Sequence, residues 1–107
     1  MALVKEVVLS QIEVQPDGTL QVRFDKRVVD GTEVFSHEYH RTVVPPGISV
    51  DKQMAAVNAH LAEMSWPPVA REHIERIKRI AKVEHTKEAK AAYAQARKVA
   101  EQAAGAE

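Results

Sequence analysis

His37, Glu38, Tyr39 and His40 form the densest run of chemically capable side chains in the sequence. Two imidazoles beside a carboxylate have the composition of a metal-ligand cluster. Their spacing works against it. Side chains alternate between faces along a strand, so His37 and His40 point in opposite directions and cannot chelate one ion without a bulge. His60 and Glu63 stand three apart, a two-ligand clip on a helix, whereas zinc takes three or four protein ligands. His73 and His85 read as surface residues.

Other chemistries lack their parts. The chain has no cysteine, hence neither a thiolate nucleophile nor a disulfide framework. No serine, histidine and aspartate stand in a nucleophile-elbow context, and no glycine-rich loop precedes a helix to cradle phosphate. The expectation is a protein without catalytic, cofactor-binding or metal-binding residues, and not an enzyme. The cations of the second half alternate with glutamates, and aromatic residues are scarce, which favours a solvated, salt-bridged helix face over a nucleic-acid surface.

The elements that carry these residues are set out by turn chemistry. Pro16-Asp17-Gly18, Asp30-Gly31 and Pro45-Pro46-Gly47 divide the first half, and residues 69–104 then contain no glycine or proline. The pattern predicts an α+β fold: an N-terminal three-stranded antiparallel β-meander followed by two to three α-helices, the last rich in alanine. Size allows a single domain over residues 1–107, with the meander in 1–47, a covering helix in 48–66 and a helical tail in 69–104 that is able to project.

Strands are expected near residues 5–15, 20–29 and 33–44. Leu20, Val22 and Phe24 alternate with Gln21, Arg23 and Asp25, the period of a strand with one face buried. A three-residue loop pairing Gln15 with Thr19 sets Val14 opposite Leu20 and Ile12 opposite Val22. A two-residue Asp30-Gly31 loop would pair Val29 with Thr32, Phe24 with His37 and Val22 with Tyr39. That register puts Phe35, Tyr39 and Val43 on the core face, sets His37 beside Phe24 and sets Arg23 against Glu38 outside. The opposite facing would expose those large side chains at about 2 kcal/mol each.

Asp51 is a candidate cap for a helix with Met54, Val57, Leu61 and Met64 on one stripe, ended by Trp66-Pro67-Pro68. Trp66 is expected to pack over that joint. Ile74, Ile77, Ile80, Ala81 and Val83 predict a second amphipathic helix, with Glu72 to Arg76 and Glu75 to Arg79 pairs outside. Thr86 is a ready N-cap with Glu88 in the first turn, which favours two helices with a corner near His85. No glycine or proline compels that break, and one helix of about 54 Å is the alternative. Beyond it, Ala92, Tyr93, Ala96 and Val99 share an apolar stripe that wants a partner, with fraying from about residue 100 as the alternative.

Net charge is zero, but unevenly distributed. Residues 1–63 hold six basic against nine acidic side chains, and residues 71–98 hold nine against four. The tail is suited to an acidic partner, including the front of another copy, which predicts salt-sensitive self-association. No apolar stretch approaches the roughly 20 residues of a membrane span, and the chain reads as soluble.

Val8-Leu9-Ser10-Gln11-Ile12-Glu13-Val14, Pro16-Asp17-Gly18, Leu20-Gln21-Val22-Arg23, and Glu38-Tyr39-His40-Arg41 leading to Pro45-Pro46-Gly47 carry a resemblance. The first half resembles, and the helical half more loosely resembles, a group of small proteins of tailed bacteriophages and prophages, often encoded near tail and tail-fibre genes. The resemblance supplies no reaction and no catalytic residue. It implies a virion component or an assembly helper, in the tail or, during assembly, in the host cytoplasm.

Together these readings predict a structural adaptor whose partners are other phage proteins or copies of itself. The helical tail would dock through Ala92, Tyr93, Ala96 and Val99, and a free edge of the meander would pair with a neighbour's strand. A tail-assembly chaperone, a host-directed inhibitor and a nucleic-acid-binding accessory factor are the alternatives.

Overall fold

The computed structural model describes residues 3–104. The chain is an α+β fold, with β1 (Val4–Val14), β2 (Leu20–Asp30) and β3 (Glu33–Val44) followed by α1 (Val50–Glu63), α2 (Arg71–Glu84) and α3 (Lys87–Ala104). The strands form one antiparallel sheet in the order β1-β2-β3.

The first hairpin closes as its turn residues require. Gln15 N–H donates to Thr19 O at 2.8 Å, Gly18 takes a φ of +89°, and Asp17 Oδ1 accepts from Thr19 N–H at 2.9 Å. Val14 faces Leu20 and Ile12 faces Val22, the expected pairs. The apolar positions of β1 change phase between Leu9 and Ile12, and the ladder shifts there by a bulge at Ser10.

The second hairpin departs from expectation. Gly31, at φ +61°, is the first central residue of the turn, and Asp30 pairs with Glu33 across Gly31-Thr32. An Asp30-Gly31 loop of the favoured primed type would need positive φ at Asp30. Placing glycine at the first central position removes that need. A second bulge between Val28 and Val29 then advances β3 by one residue, so Phe24 pairs with His40, not His37, and Val22 with Thr42, not Tyr39. A one-residue shift exchanges the faces of a strand. Phe35, Tyr39 and Val43, expected in the core, are therefore exposed, and Arg23 stands opposite Arg41 instead of Glu38.

What the shift gains is at the end of the strand. Val44 becomes fully buried, Pro45 and Pro46 are buried after it, and Thr42 Oγ1 accepts from Gln53 Nε2 of α1 at 2.7 Å. The core is then Leu20, Val22, Phe24 and Val44 of the sheet against Met54, Val57 and Leu61 of α1 and Ile77 and Ala81 of α2.

Ser49 caps α1, its Oγ accepting from Lys52 N–H at 3.1 Å. Asp51 lies in the first turn instead, where it binds Lys78 Nζ of α2 at 2.8 Å. The helix ends in a reciprocal cap in which Ser65 N–H reaches Ala62 O and Trp66 N–H reaches Leu61 O, with Ser65 at φ +63°. Met64 is consequently at the cap and exposed, off the stripe. Asn58 Oδ1 accepts from Val69 N–H at 2.8 Å and holds the proline linker against α1.

Ile77 and Ala81 anchor α2, with Ile74 and Ile80 packed beside them, while Val83 is 70% exposed and outside the core. The expected Glu72–Arg76 and Glu75–Arg79 pairs are not among the ion pairs of the described residues; Glu75 lies 3.8 Å from Lys78 instead. The tail breaks at His85, and Thr86 caps α3, its Oγ1 accepting from Ala89 N–H at 3.1 Å.

Candidate interaction surfaces

Both helices that reach the core lie on the inner face of the sheet, and the opposite face is open. Alternation from the observed register fixes what it displays: Val4, Val29 and Val34 in one cross-strand row, then Glu6, Arg27 and His37, then Val8, Asp25 and Tyr39, then Gln11, Arg23 and Arg41, and last Glu13, Gln21 and Val43. Arg27 pairs with Glu6, and His37 Nδ1 lies 3.4 Å from Asp25 Oδ1.

The row of Arg23 and Arg41 differs from its neighbours. The two arginines are direct cross-strand partners, an arrangement that places like charges together and destabilises a sheet. Tyr39 stands in the next row, with the Arg23 guanidinium carbon 4.2 Å and that of Arg41 5.6 Å from its ring centroid. The His37 ring meets Tyr39 edge-on at 5.4 Å. The Ser10 bulge holds Arg23 twice: Ser10 Oγ accepts from Arg23 Nε at 3.0 Å and donates to Arg23 O at 3.1 Å. An open groove of about 590 Å³ runs over Arg23 and Arg41 between Gln11, Gln21 and Val43.

On the inner face, Lys26 is a buried cation. Its Nζ lies 3.6 Å from the exposed Glu38 and 5.7 Å from the Trp66 ring centroid, and Lys5 Nζ lies 5.1 Å from the same ring. Trp66 packs on the core at the joint after α1, as expected, and it also closes this basic end of the sheet. His40 is half-buried on the same face, with its ring 5.3 Å from that of His60.

Burial first, then the nearby His60 and Lys26, lowers the pKa of His40 below its ordinary value. The folded chain thus holds His40 neutral where the unfolded chain would protonate it, from about pH 6.5 downward. Thermal unfolding across pH 5 to 8 is expected to show a midpoint that falls as the pH drops below about 6.5. His40→Gln should flatten that slope, and an unchanged slope would exclude His40 as its source.

The third surface is α3. Only Ala89 and Tyr93 are half-buried, and none of its residues is buried. Ala92, Tyr93 and Ala96 line an open groove of about 530 Å³ between α3 and the Pro16-Asp17-Gly18 turn, while Val99, 52% exposed, continues the stripe beyond it. The corner that aims α3 is pinned by His85, whose Nε2 donates to Gly18 O at 2.8 Å. His85 is therefore half-buried at a joint and not a surface residue.

His37 and His40 do lie on opposite faces, and among the described residues no three histidines, aspartates and glutamates are grouped as metal ligands. No helix of the described residues is long and apolar enough to cross a membrane. The Arg23, Tyr39 and Arg41 cluster escaped sequence reasoning. The alternation of β2 put Arg23 outside, but Arg41 and Tyr39 join it only through the bulge in β3. Compared with protein-family models, curated proteins and solved structures, the chain matches none.

Proposed function

We propose that this protein is a non-enzymatic adaptor of a bacteriophage tail or tail-fibre apparatus, acting through protein–protein contacts with α3 as its docking element. The observation that supports this most is the state of α3: an 18-residue helix with no buried residue, in a molecule measuring 59 × 33 × 20 Å. Most of the stability of a helix in a protein comes from packing an apolar face, and α3 buries none of its residues. Covering Ala92, Tyr93, Ala96 and Val99 would supply the missing burial, and alanine lets a partner's backbone approach closely. The long edges of β1 and β3, unpaired among the described residues, are a second place where a neighbour could add a strand.

The phage assignment rests on the resemblance of the first half, and it is tested on particles. Mass spectrometry of purified virions is expected to find the protein at a fixed copy number relative to the major tail protein. Its absence would remove the virion role and favour an assembly chaperone. Ala92→Glu combined with Ala96→Glu keeps helix propensity but blocks the stripe. The double variant should fold with an unchanged melting temperature and lose incorporation by about tenfold or more. Normal incorporation would show that α3 is not the docking element.

A further inference from the structure

We propose that Arg23 and Arg41, with Tyr39 beside them, form a carboxylate-receiving site on the outer face of the sheet, for an acidic peptide segment of a partner protein. The inference goes beyond the docking of α3 and rests on a different surface.

Charge is the first ground. Two guanidinium groups stand opposite each other across β2 and β3, and neither has an ion-pair partner among the described residues. Elsewhere on this face Arg27 is paired with Glu6, and His37 lies beside Asp25. A cross-strand pair of like charges opposes folding, and an incoming carboxylate turns that repulsion into two attractions.

Preorganisation is the second ground. Arg23 is held through Nε by Ser10 and lies over the Tyr39 ring, and Arg41 approaches the same ring. A planar fork held in place loses less freedom when it grips a carboxylate than a free lysine does.

The surroundings select the ligand. Glu13 lines the same groove and lies one outward row away, opposite Gln21. With Glu6 and Asp25 it balances the arginines of the face, so a long polyanion would meet as much repulsion as attraction. The Arg23 guanidinium lies over the Tyr39 ring, and no aromatic side chain lines the groove to stack a nucleic-acid base. A single aspartate or glutamate, with an apolar neighbour against Val43 and amide contacts to Gln11 and Gln21, fits both the charge and the groove. The exposed edge of β3 lies beside Arg41 and can pair with the backbone of such a segment.

The test titrates the full chain, labelled with nitrogen-15, with a capped hexapeptide that carries one glutamate beside a valine. Inorganic phosphate and a short oligothymidylate are run in parallel. The peptide is expected to move the Arg23 and Arg41 side-chain Nε–H signals and the Ser10 and Gln21 amides saturably. Arg41→Gln should weaken it by about fivefold, as for a partly exposed charge-assisted pair.

Because Arg41→Gln removes a like-charge neighbour, its melting temperature should stay level or rise. A clear fall would make Arg41 a structural residue and overturn the proposal. Shifts confined to α2 and α3, or an affinity unaltered by Arg41→Gln, would also overturn it. Tighter binding of phosphate or oligothymidylate at the same residues would overturn the carboxylate assignment. Ala92→Glu with Ala96→Glu should leave the titration unchanged, so the failure of one surface is distinguishable from failure of the other.

Discussion

Phe24→Ala is expected to lower stability by about 3 to 5 kcal/mol, whereas Phe35→Ala should change it by less than about 0.5 kcal/mol. Both are phenylalanines in strands of one small sheet, and they differ in what covers them. Phe24 has no exposed surface and lies in the core with Leu61 and Ile77. Its removal leaves a cavity that β2, paired on both sides, cannot collapse to fill. Phe35 is 53% exposed and sits at the bulge of β3.

Against a total stability of about 5 to 15 kcal/mol for a domain of this kind, the first change approaches unfolding. Urea titration measures both: the midpoint should fall sharply for Phe24→Ala with the slope unchanged, and barely move for Phe35→Ala. A large loss for Phe35→Ala would restore the register in which Phe35, Tyr39 and Val43 face the core. It would also remove Tyr39 from the arginine pair.

Gly18→Ala is expected to cost about 1 to 3 kcal/mol and to disturb α3. Gly18 has φ +89°, and a Cβ there would lie 3.1 Å from Glu84 O and 3.4 Å from Pro46 Cγ. Glu84 is the last residue of α2, so the conflict falls on backbone that cannot swing aside. Gly18 O is also the acceptor for His85, so the first hairpin and the α2–α3 corner yield together.

Gly31→Ala is the control. Its φ is +61° with no atom within 4 Å of the added Cβ, so it carries backbone strain alone, about 1 kcal/mol. Thermal unfolding with amide spectra of Thr86, Ala89 and Tyr93 measures both effects. Equal losses at the two glycines, with those amides unmoved, would show that Gly18 does not hold the corner.

The groove behind that corner is where three of the four expected docking residues meet, Ala92, Tyr93 and Ala96. Their shared face follows from helical spacing and was legible without coordinates. That His85 fixes the angle of the face was not, since the hydrogen bond joins residues 67 positions apart. The misassigned cap is a smaller case of the same kind. Ser49 and Asp51 are both good capping residues, and the choice between them depends on where the chain leaves Pro45-Pro46.

Local chemistry alone determined the three strands, the first hairpin register and the helical second half, and it offered Thr86 as the cap for a break after His85. Each depends on residues within one turn or one helical repeat of each other. Tertiary structure decided which face of β3 looks inward. The regular alternation of Phe35, Tyr39 and Val43 argued for the core, and it lost to one bulge that buries Val44, Pro45 and Pro46 and lets Thr42 meet Gln53. A strand has the same period on both faces, so its own sequence cannot say which is inside. That choice belongs to the elements it joins, and here it brought Arg23, Tyr39 and Arg41 together on the open face of the sheet.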